Sequence, residues 1–336
     1  MTSSKDYVFK EVGETLIQTT AYWKTTNSEE PKGLALAFHG GGFVIGSRHS
    51  LPEVEVGYLA DANFIVVSAD YRLCPQVALR EVIEDAIDVF SWCKTEFPAK
   101  FEADTGLRIN ARKTVVFGQS AGALLALHLF LSPSDDQNST SCEQGALEEP
   151  PRAILDFYGV KYVSDEFWHM PLPALAAIPT LPQALTDKIF DEPVMTTTAI
   201  SLEKAAASQD VVIKRGMPAP DLSVPRNAWL FTALRDGTQM KTIVKDDDLD
   251  CVDPVRGFHP KFPPTFFVHG DTDGLIPSAF SERACRELSD MGVKARISLI
   301  PGQSHGFDAG LGVDDPGWPQ VRDALDFLIF YGNKVI

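Results

Sequence analysis

Short apolar runs alternate along this chain with longer stretches in which apolar side chains recur every three or four residues. The first pattern predicts buried strands and the second amphipathic helices. Val8–Val12 and Thr15–Trp23 predict two opening antiparallel strands joined at Gly13. Leu34–Phe38, Phe64–Ser68, Thr114–Phe117, Ala153–Tyr158, Thr265–Val268 and Ala295–Ile300 predict further strands. A helix is expected around Leu51–Ala60. Another covers Arg80–Glu96, where Val82, Ile83, Ala86, Ile87, Val89, Phe90 and Cys93 fall on one face, and a last one covers Gln320–Phe330. Strand–helix alternation of this kind implies a mostly parallel sheet with helices on both faces.

Between Tyr158 and Pro264 the alternation lapses. This segment is rich in proline (Pro171, Pro173, Pro179, Pro182, Pro193, Pro218, Pro220, Pro225) and in apolar side chains such as Trp168, Met170, Leu172, Leu175, Ile178, Leu181 and Leu185. A structureless loop of that length inside a compact domain is unusual, so the segment reads as an inserted cap. The pattern divides the chain into a core of 1–160 with 261–336 and a cap of 161–260.

Composition narrows the partners. The 336 residues carry a net charge of −16, which opposes binding to nucleic acid or an anionic membrane and favours a neutral small molecule. Cys74, Cys93, Cys142, Cys251 and Cys285 are odd in number and lack C-x-x-C spacing, so free thiols in a reducing compartment are expected. The N-terminus lacks the apolar stretch of a signal peptide and no apolar run approaches membrane-spanning length, giving the expectation of a soluble cytoplasmic protein.

Three segments carry candidate chemistry. Gly118-Gln119-Ser120-Ala121-Gly122 lies between the strand Thr114–Phe117 and the helix-like Ala121–Leu127. Strand, Gly-x-Ser-x-Gly and helix describe a nucleophile elbow, which exposes a serine at the head of a helix whose positive end favours developing negative charge. A glycine-rich turn with a helix-capping serine is the plainer alternative. Upstream, Leu34–Phe38 runs into His39-Gly40-Gly41-Gly42, where successive glycines let backbone N–H groups approach a substrate oxygen. No Gly-Lys-Ser/Thr follows, which argues against a nucleotide P-loop. Downstream, one strand leads into His269-Gly270-Asp271-Thr272-Asp273 and the next into Ser304-His305-Gly306-Phe307. An acid and a histidine thus each stand past a strand's C-terminal end, the edge where open α/β sheets bind ligands.

The order Ser120, Asp273, His305 is that of α/β-hydrolases. The chain resembles the hormone-sensitive-lipase-like esterase branch of that superfamily, through His39-Gly40-Gly41-Gly42, Asp70-Tyr71-Arg72-Leu73-x-Pro75, Gly118–Gly122 and His305-Gly306-Phe307. The resemblance implies the α/β-hydrolase fold with a cap over the site, Ser120 as nucleophile, His305 as base, and the N–H groups of Gly41, Gly42 and Ala121 as the oxyanion hole. Family register favours Asp273 as the orienting acid over Asp271, a turn residue, with Asp308 a third candidate. Gln119 stands where the family carries an acid, and Cys74-Pro75-Gln76 where it carries Ala-Pro-Glu. The family's N-terminal cap helices are expected to be truncated or absent.

No cofactor or metal is implied. Asp246, Asp247, Asp248 and Asp250 lack the glycine and terminal glutamate of a calcium loop and read as a solvated acidic stretch. Asp70, Tyr71, Arg72 and His39 read as architecture, and His269 as a core residue. The expected function is serine carboxylic-ester hydrolysis of small to medium neutral acyl esters. The same groups could serve acyl transfer, or lactone, thioester or amide cleavage, possible uses in natural-product biosynthesis. A small-molecule receptor on this fold is a further alternative, which loss of Ser120, Asp273 or His305 would have favoured.

Overall fold

A computed structural model describes residues 2–25, 30–130, 149–198, 220–245 and 248–334. Its sheet has eight strands: β1 (Ser3–Val12), β2 (Thr15–Trp23), β3 (Lys32–Phe38), β4 (Phe64–Ala69), β5 (Ile109–Gln119), β6 (Ile154–Phe157), β7 (Thr265–Gly270) and β8 (Ala295–Ile300). They lie in the order β1-β2-β4-β3-β5-β6-β7-β8. β1, β2 and β4 pair antiparallel, and every pair from β4–β3 to β7–β8 is parallel. β3 is flanked by β4 on one side and β5 on the other, so the connections diverge there. The crevice past the ends of β3 and β5 is therefore the topological switch point, where such sheets bind ligands.

Alternate side chains of each central strand serve opposite faces. Leu34, Leu36 and Phe38 pack with Ile65, Val67 and Val116 toward α2 (Leu79–Thr95), α3 (Phe97–Thr105) and α4 (Ala121–His128). Ala35 and Ala37 pack with Val66, Val115, Phe117 and Leu155 toward α1 (Glu53–Asp61) and the C-terminal helix Trp318–Asn333. Both faces are apolar because both are covered, as a parallel sheet requires.

Several boundaries moved from the expected ones. β1 begins at Ser3 rather than Val8, since Ser3–Asp6 is exposed and held to β2 by backbone pairing, which leaves no alternation to read. α3 was not anticipated; a proline sits in its first turn and Gly106, at φ 72°, ends it. Between β7 and β8 lies a helix, Ser278–Asp290, whose Phe280, Ala284 and Leu288 are buried. Between β6 and β7 the described residues form only short helical pieces, the longest being Pro225–Asp236. Pro218 lies outside the described residues.

Cys74, Cys93 and Cys285 are free, but Cys251 is disulfide-bonded, which corrects the expectation of free thiols for that residue. Cys142 lies outside the described residues. Among the described residues no helix is long and apolar enough to cross a membrane.

Candidate active site

β5 ends at Gln119 and α4 begins at Ala121, so the whole turn is made at Ser120, held at φ 53° and ψ −115°. Such a backbone is strained for a residue with a Cβ and persists only where its surroundings impose it. The Ser120 N–H donates to Phe157 O at 2.9 Å, tying the turn to β6. A Cβ on Gly118 would lie 2.3 Å from Gly122 C, and one on Gly122 would lie 2.2 Å from Phe38 O. The motif glycines are therefore required by the close approach of α4 to β3 and β5.

Three side chains form a line of hydrogen bonds past the strand ends. Ser120 Oγ is 2.9 Å from His305 Nε2, and His305 Nδ1 is 2.7 Å from Asp273 Oδ2. A carboxylate at Nδ1 keeps the proton there and leaves Nε2 to accept from the serine hydroxyl. Asp273 Oδ1 accepts from the N–H groups of Leu275 and Ile276 at 2.8 and 3.0 Å. Burial alone would raise the Asp273 pKa, but hydrogen bonds from His269 and His305 outweigh it and hold the carboxyl well below the usual carboxylate range. Asp271 lies elsewhere, accepting from Gly302 N at 2.6 Å on the exposed side of the loop.

The glycine loop lies against the serine: a Cβ on Gly40 would be 3.3 Å from Ser120 Cβ. Gly41 and Gly42 have φ of 108° and 61°, in the left-handed region that favours glycine. The loop's carbonyls are held on all sides. Gly40 O meets His39 Nδ1 at 2.7 Å, and Gly41 O accepts from Val44 and Ile45. Phe43 O accepts from Cys74 N. The N–H groups of Gly41 and Gly42 are paired with no acceptor among the described residues, and both glycines line the cavity. Ala121 N–H is at the head of α4, where a helix leaves its N–H groups without intrahelical partners.

Behind the serine sits a polar cluster that the sequence did not announce. Gln119 Nε2 donates to Glu55 Oε2 at 3.2 Å, and the Tyr158 hydroxyl donates to Asp308 Oδ1. Burial raises the pKa of both Glu55 and Asp308, and the proximity of Asp308 adds to that of Glu55. The Tyr158 ring meets His305 edge-on, centroids 4.7 Å apart. Asp308 thus orients a tyrosine on the histidine and makes no hydrogen bond to either ring nitrogen. Gln76, the other departure from the family pattern, accepts from Arg226 Nη2 at 2.7 Å.

An apolar cavity of about 1070 Å³, its open mouth included, spreads in front of Ser120. The core lends it Phe43, Ile45, Leu275 and Ile276, and the segment between β6 and β7 lends Val160, Trp168, Leu172, Leu230, Phe231, Leu234 and Met240. Of the acidic stretch, Asp246 and Asp247 lie outside the described residues, Asp248 accepts from Cys251 N, and Asp250 pairs with Arg256 at 2.5 Å. His39 is buried and stacked on Tyr71, whose hydroxyl donates to His39 O at 2.8 Å; burial lowers its pKa. Asp70 pairs with Arg48, and Arg72 with Asp85.

A doubly wound sheet with a serine, an imidazole and a carboxylate aligned past its strand ends is the architecture of a hydrolase. The chain belongs to the alpha/beta hydrolase fold family, whose model matches residues 35–211, just over half of it, and it is a hydrolase of that fold. Non-reducing polyketide synthase pkbA of Emericella nidulans is 27% identical across 97% of this chain and 14% of its own length. Non-reducing polyketide synthase ausA of Aspergillus calidoustus is 30% identical across 88% of this chain and 13% of its own length. The chain therefore spans only a small part of these curated relatives. Among solved structures, a protein of unknown function from Staphylococcus aureus subsp. aureus Mu50 superposes with a TM-score of 0.67 at 18% identity, covering 98% of this chain and 99% of that one. Thermogutta terrifontis esterase 2, phosphorylated by paraoxon, gives 0.58 at 16% identity, covering 96% and 91%. At such identities the likeness is one of fold.

Proposed function

We propose that this chain is a serine hydrolase that cleaves neutral carboxylic esters of small to medium acyl groups through a Ser120–His305–Asp273 triad. The observation that carries the reading is the continuous line of 2.9 and 2.7 Å hydrogen bonds from Ser120 Oγ through His305 to Asp273 at an apolar cavity. His305 Nε2 takes the hydroxyl proton as Oγ attacks the carbonyl carbon. The resulting oxyanion lies against the N–H groups of Gly41, Gly42 and Ala121, and Asp273 stabilises the imidazolium. His305 then gives the proton to the leaving alkoxide. Water, deprotonated by the same nitrogen, releases the acyl group. Residues 161–260 act as the cap, whose apolar side chains enclose the acyl chain and exclude bulk water. The partner is thus a small-molecule acyl substrate, with no role for a cofactor, nucleic acid or membrane. Intact mass after a fluorophosphonate probe tests the reading: one adduct on the wild type and none on Ser120→Ala is expected, and equal labelling overturns it.

A second reading rests on the likeness to polyketide synthases. Polyketide assembly proceeds through acyl thioesters, and the same serine could take an acyl group from a thioester and pass it to water or to an alcohol. A kcat/KM on acyl thioesters well above that on the matching oxygen esters would favour it, and product partition between water and added alcohol would identify the acceptor.

A further inference from the structure

The glycine loop is held from outside as well as from within. Gln239 Nε2 donates to Gly42 O at 2.6 Å, and Arg226 Nη1 donates to Val44 O at 3.0 Å. Thr198 holds Gly46 twice: its N–H donates to Gly46 O at 2.8 Å, and its Oγ1 accepts from Gly46 N at 2.7 Å. All three residues come from the segment between β6 and β7, and they grip every second residue from Gly42 to Gly46. Arg226 is itself fastened by Cys74 O at 2.8 Å, Gln76 Oε1 at 2.7 Å and Glu192 Oε2 at 2.8 Å. Gln239 and Arg226 are both buried, at 3% and 2% exposure.

Two glycines in succession with positive φ form a piece of backbone with many alternative conformations. Backbone donors stabilise a developing oxyanion only if they are already aimed when the charge appears. Intraloop bonds fix Gly41 O, but the peptide after Gly42 has no core partner among the described residues; its carbonyl is taken by Gln239. We propose that Gln239, backed by Arg226 and Thr198, is a positioning residue for the oxyanion loop, so that the segment supplying these three residues belongs to the machinery of acyl transfer. This rests on the serine-hydrolase reading. It implies that any movement of the segment that draws Gln239 from Gly42 disables the hole while leaving Ser120, His305 and Asp273 in place.

The test compares wild type, Ser120→Ala, Gln239→Met and Gln239→Glu on a short aryl ester, with deuterium exchange followed over residues 40–46. Gln239→Met should lower kcat by about tenfold or more with KM moved by less than about threefold, the pattern of an interaction that matters mainly in the transition state. Exchange over 40–46 should quicken. Gln239→Glu, of the same shape, should match it at pH 8. Its rate relative to wild type should climb as pH falls, because only the protonated carboxyl can donate to Gly42 O. That ratio decides the matter if Gln239→Met does not fold. A raised KM at unchanged kcat, exchange equal to wild type, or a pH-independent ratio overturns the proposal. Absence of Ser120-dependent turnover in the wild type sinks the hydrolase reading and the catalytic role of Gln239 with it, whereas the exchange measurement is read without turnover.

Discussion

His269 Nε2 stands 3.1 Å from Asp273 Oδ2, the oxygen that His305 Nδ1 also reaches at 2.7 Å. The same Nε2 is 3.0 Å from Ile276 O, which can only accept, so this nitrogen carries the proton. Nδ1 then accepts from Ser281 Oγ at 2.8 Å, and that hydroxyl oxygen accepts in turn from the buried Lys161 Nζ at 3.1 Å. The acid that holds one histidine is thus itself held by another, through a buried polar chain ending at the Lys161–Asp156 pair.

Ranking variants of this loop tests the acid. Asp273→Asn should lower kcat by about ten-thousandfold, as expected when a triad acid no longer fixes the imidazole tautomer. His269→Phe should lose only about fivefold, the worth of one hydrogen bond of about 1 kcal/mol. Asp271→Asn should leave turnover near wild type. Steady-state kinetics with a melting control gives the order, and a larger loss at Asp271 than at Asp273 would refute the assignment.

Ser120→Ala and His305→Ala should each reduce kcat by at least about a thousandfold, and the double variant should lose little more than either single one, because the groups act as a unit. Losses that multiply would mean that the 2.9 Å contact is not used in catalysis.

Gln119→Asp restores the residue usual in the family and should harm this protein. It would set a third carboxyl beside Glu55 and Asp308, both of which burial already pushes toward the protonated form. An acid whose folded pKa is raised binds more protons when folded, so its penalty grows as pH rises above the ordinary carboxylate value of about 4 and shrinks below it. Denaturant titration should show a deficit of at least about 2 kcal/mol at pH 7 that narrows toward pH 4. A deficit that widens on acidification would contradict this account.

Two glycine replacements should move stability in opposite directions. Gly57, inside α1, has nothing within 4 Å of the place an alanine methyl would take, so Gly57→Ala should stabilise by about 0.5–1 kcal/mol. A Cβ on Gly41 would lie 2.0 Å from Ile45 O at a φ of 108°, so Gly41→Ala should destabilise by more than about 2 kcal/mol and slow fluorophosphonate labelling. Thermal melts of both variants provide the check.

On aryl esters, kcat/KM should peak at roughly two to eight acyl carbons, because each methylene adds about 0.8 kcal/mol only while the cavity encloses it. A steady rise to about sixteen carbons, beyond what the same enclosure argument allows, would require a longer channel than the one lined by Trp168, Leu172 and Leu230.

What was legible in the sequence is local. The apolar run Leu34–Phe38 marks a strand buried on both faces, and the glycines around Ser120 mark a turn where a helix crosses two strands too closely for a Cβ. Such features depend on neighbours a few residues apart, so period and residue type are enough to determine them. The order of serine, acid and histidine is likewise written along the chain. The extent of β1 was not legible, because an exposed edge is held by backbone bonds that any side chain permits. The choice among carboxyls was legible only through the resemblance, whose register favoured Asp273: Asp271 and Asp273 differ by two positions, and in the fold one accepts from Gly302 N while the other reaches His305. Gln239 and Gly42 lie 197 positions apart, and no periodic pattern links them. The sequence determined where each chemical group stands on its own element; the sheet's strand order and the packing of the described residues between β6 and β7 decided which groups touch, because contacts between distant segments follow from shape and burial rather than from local spacing.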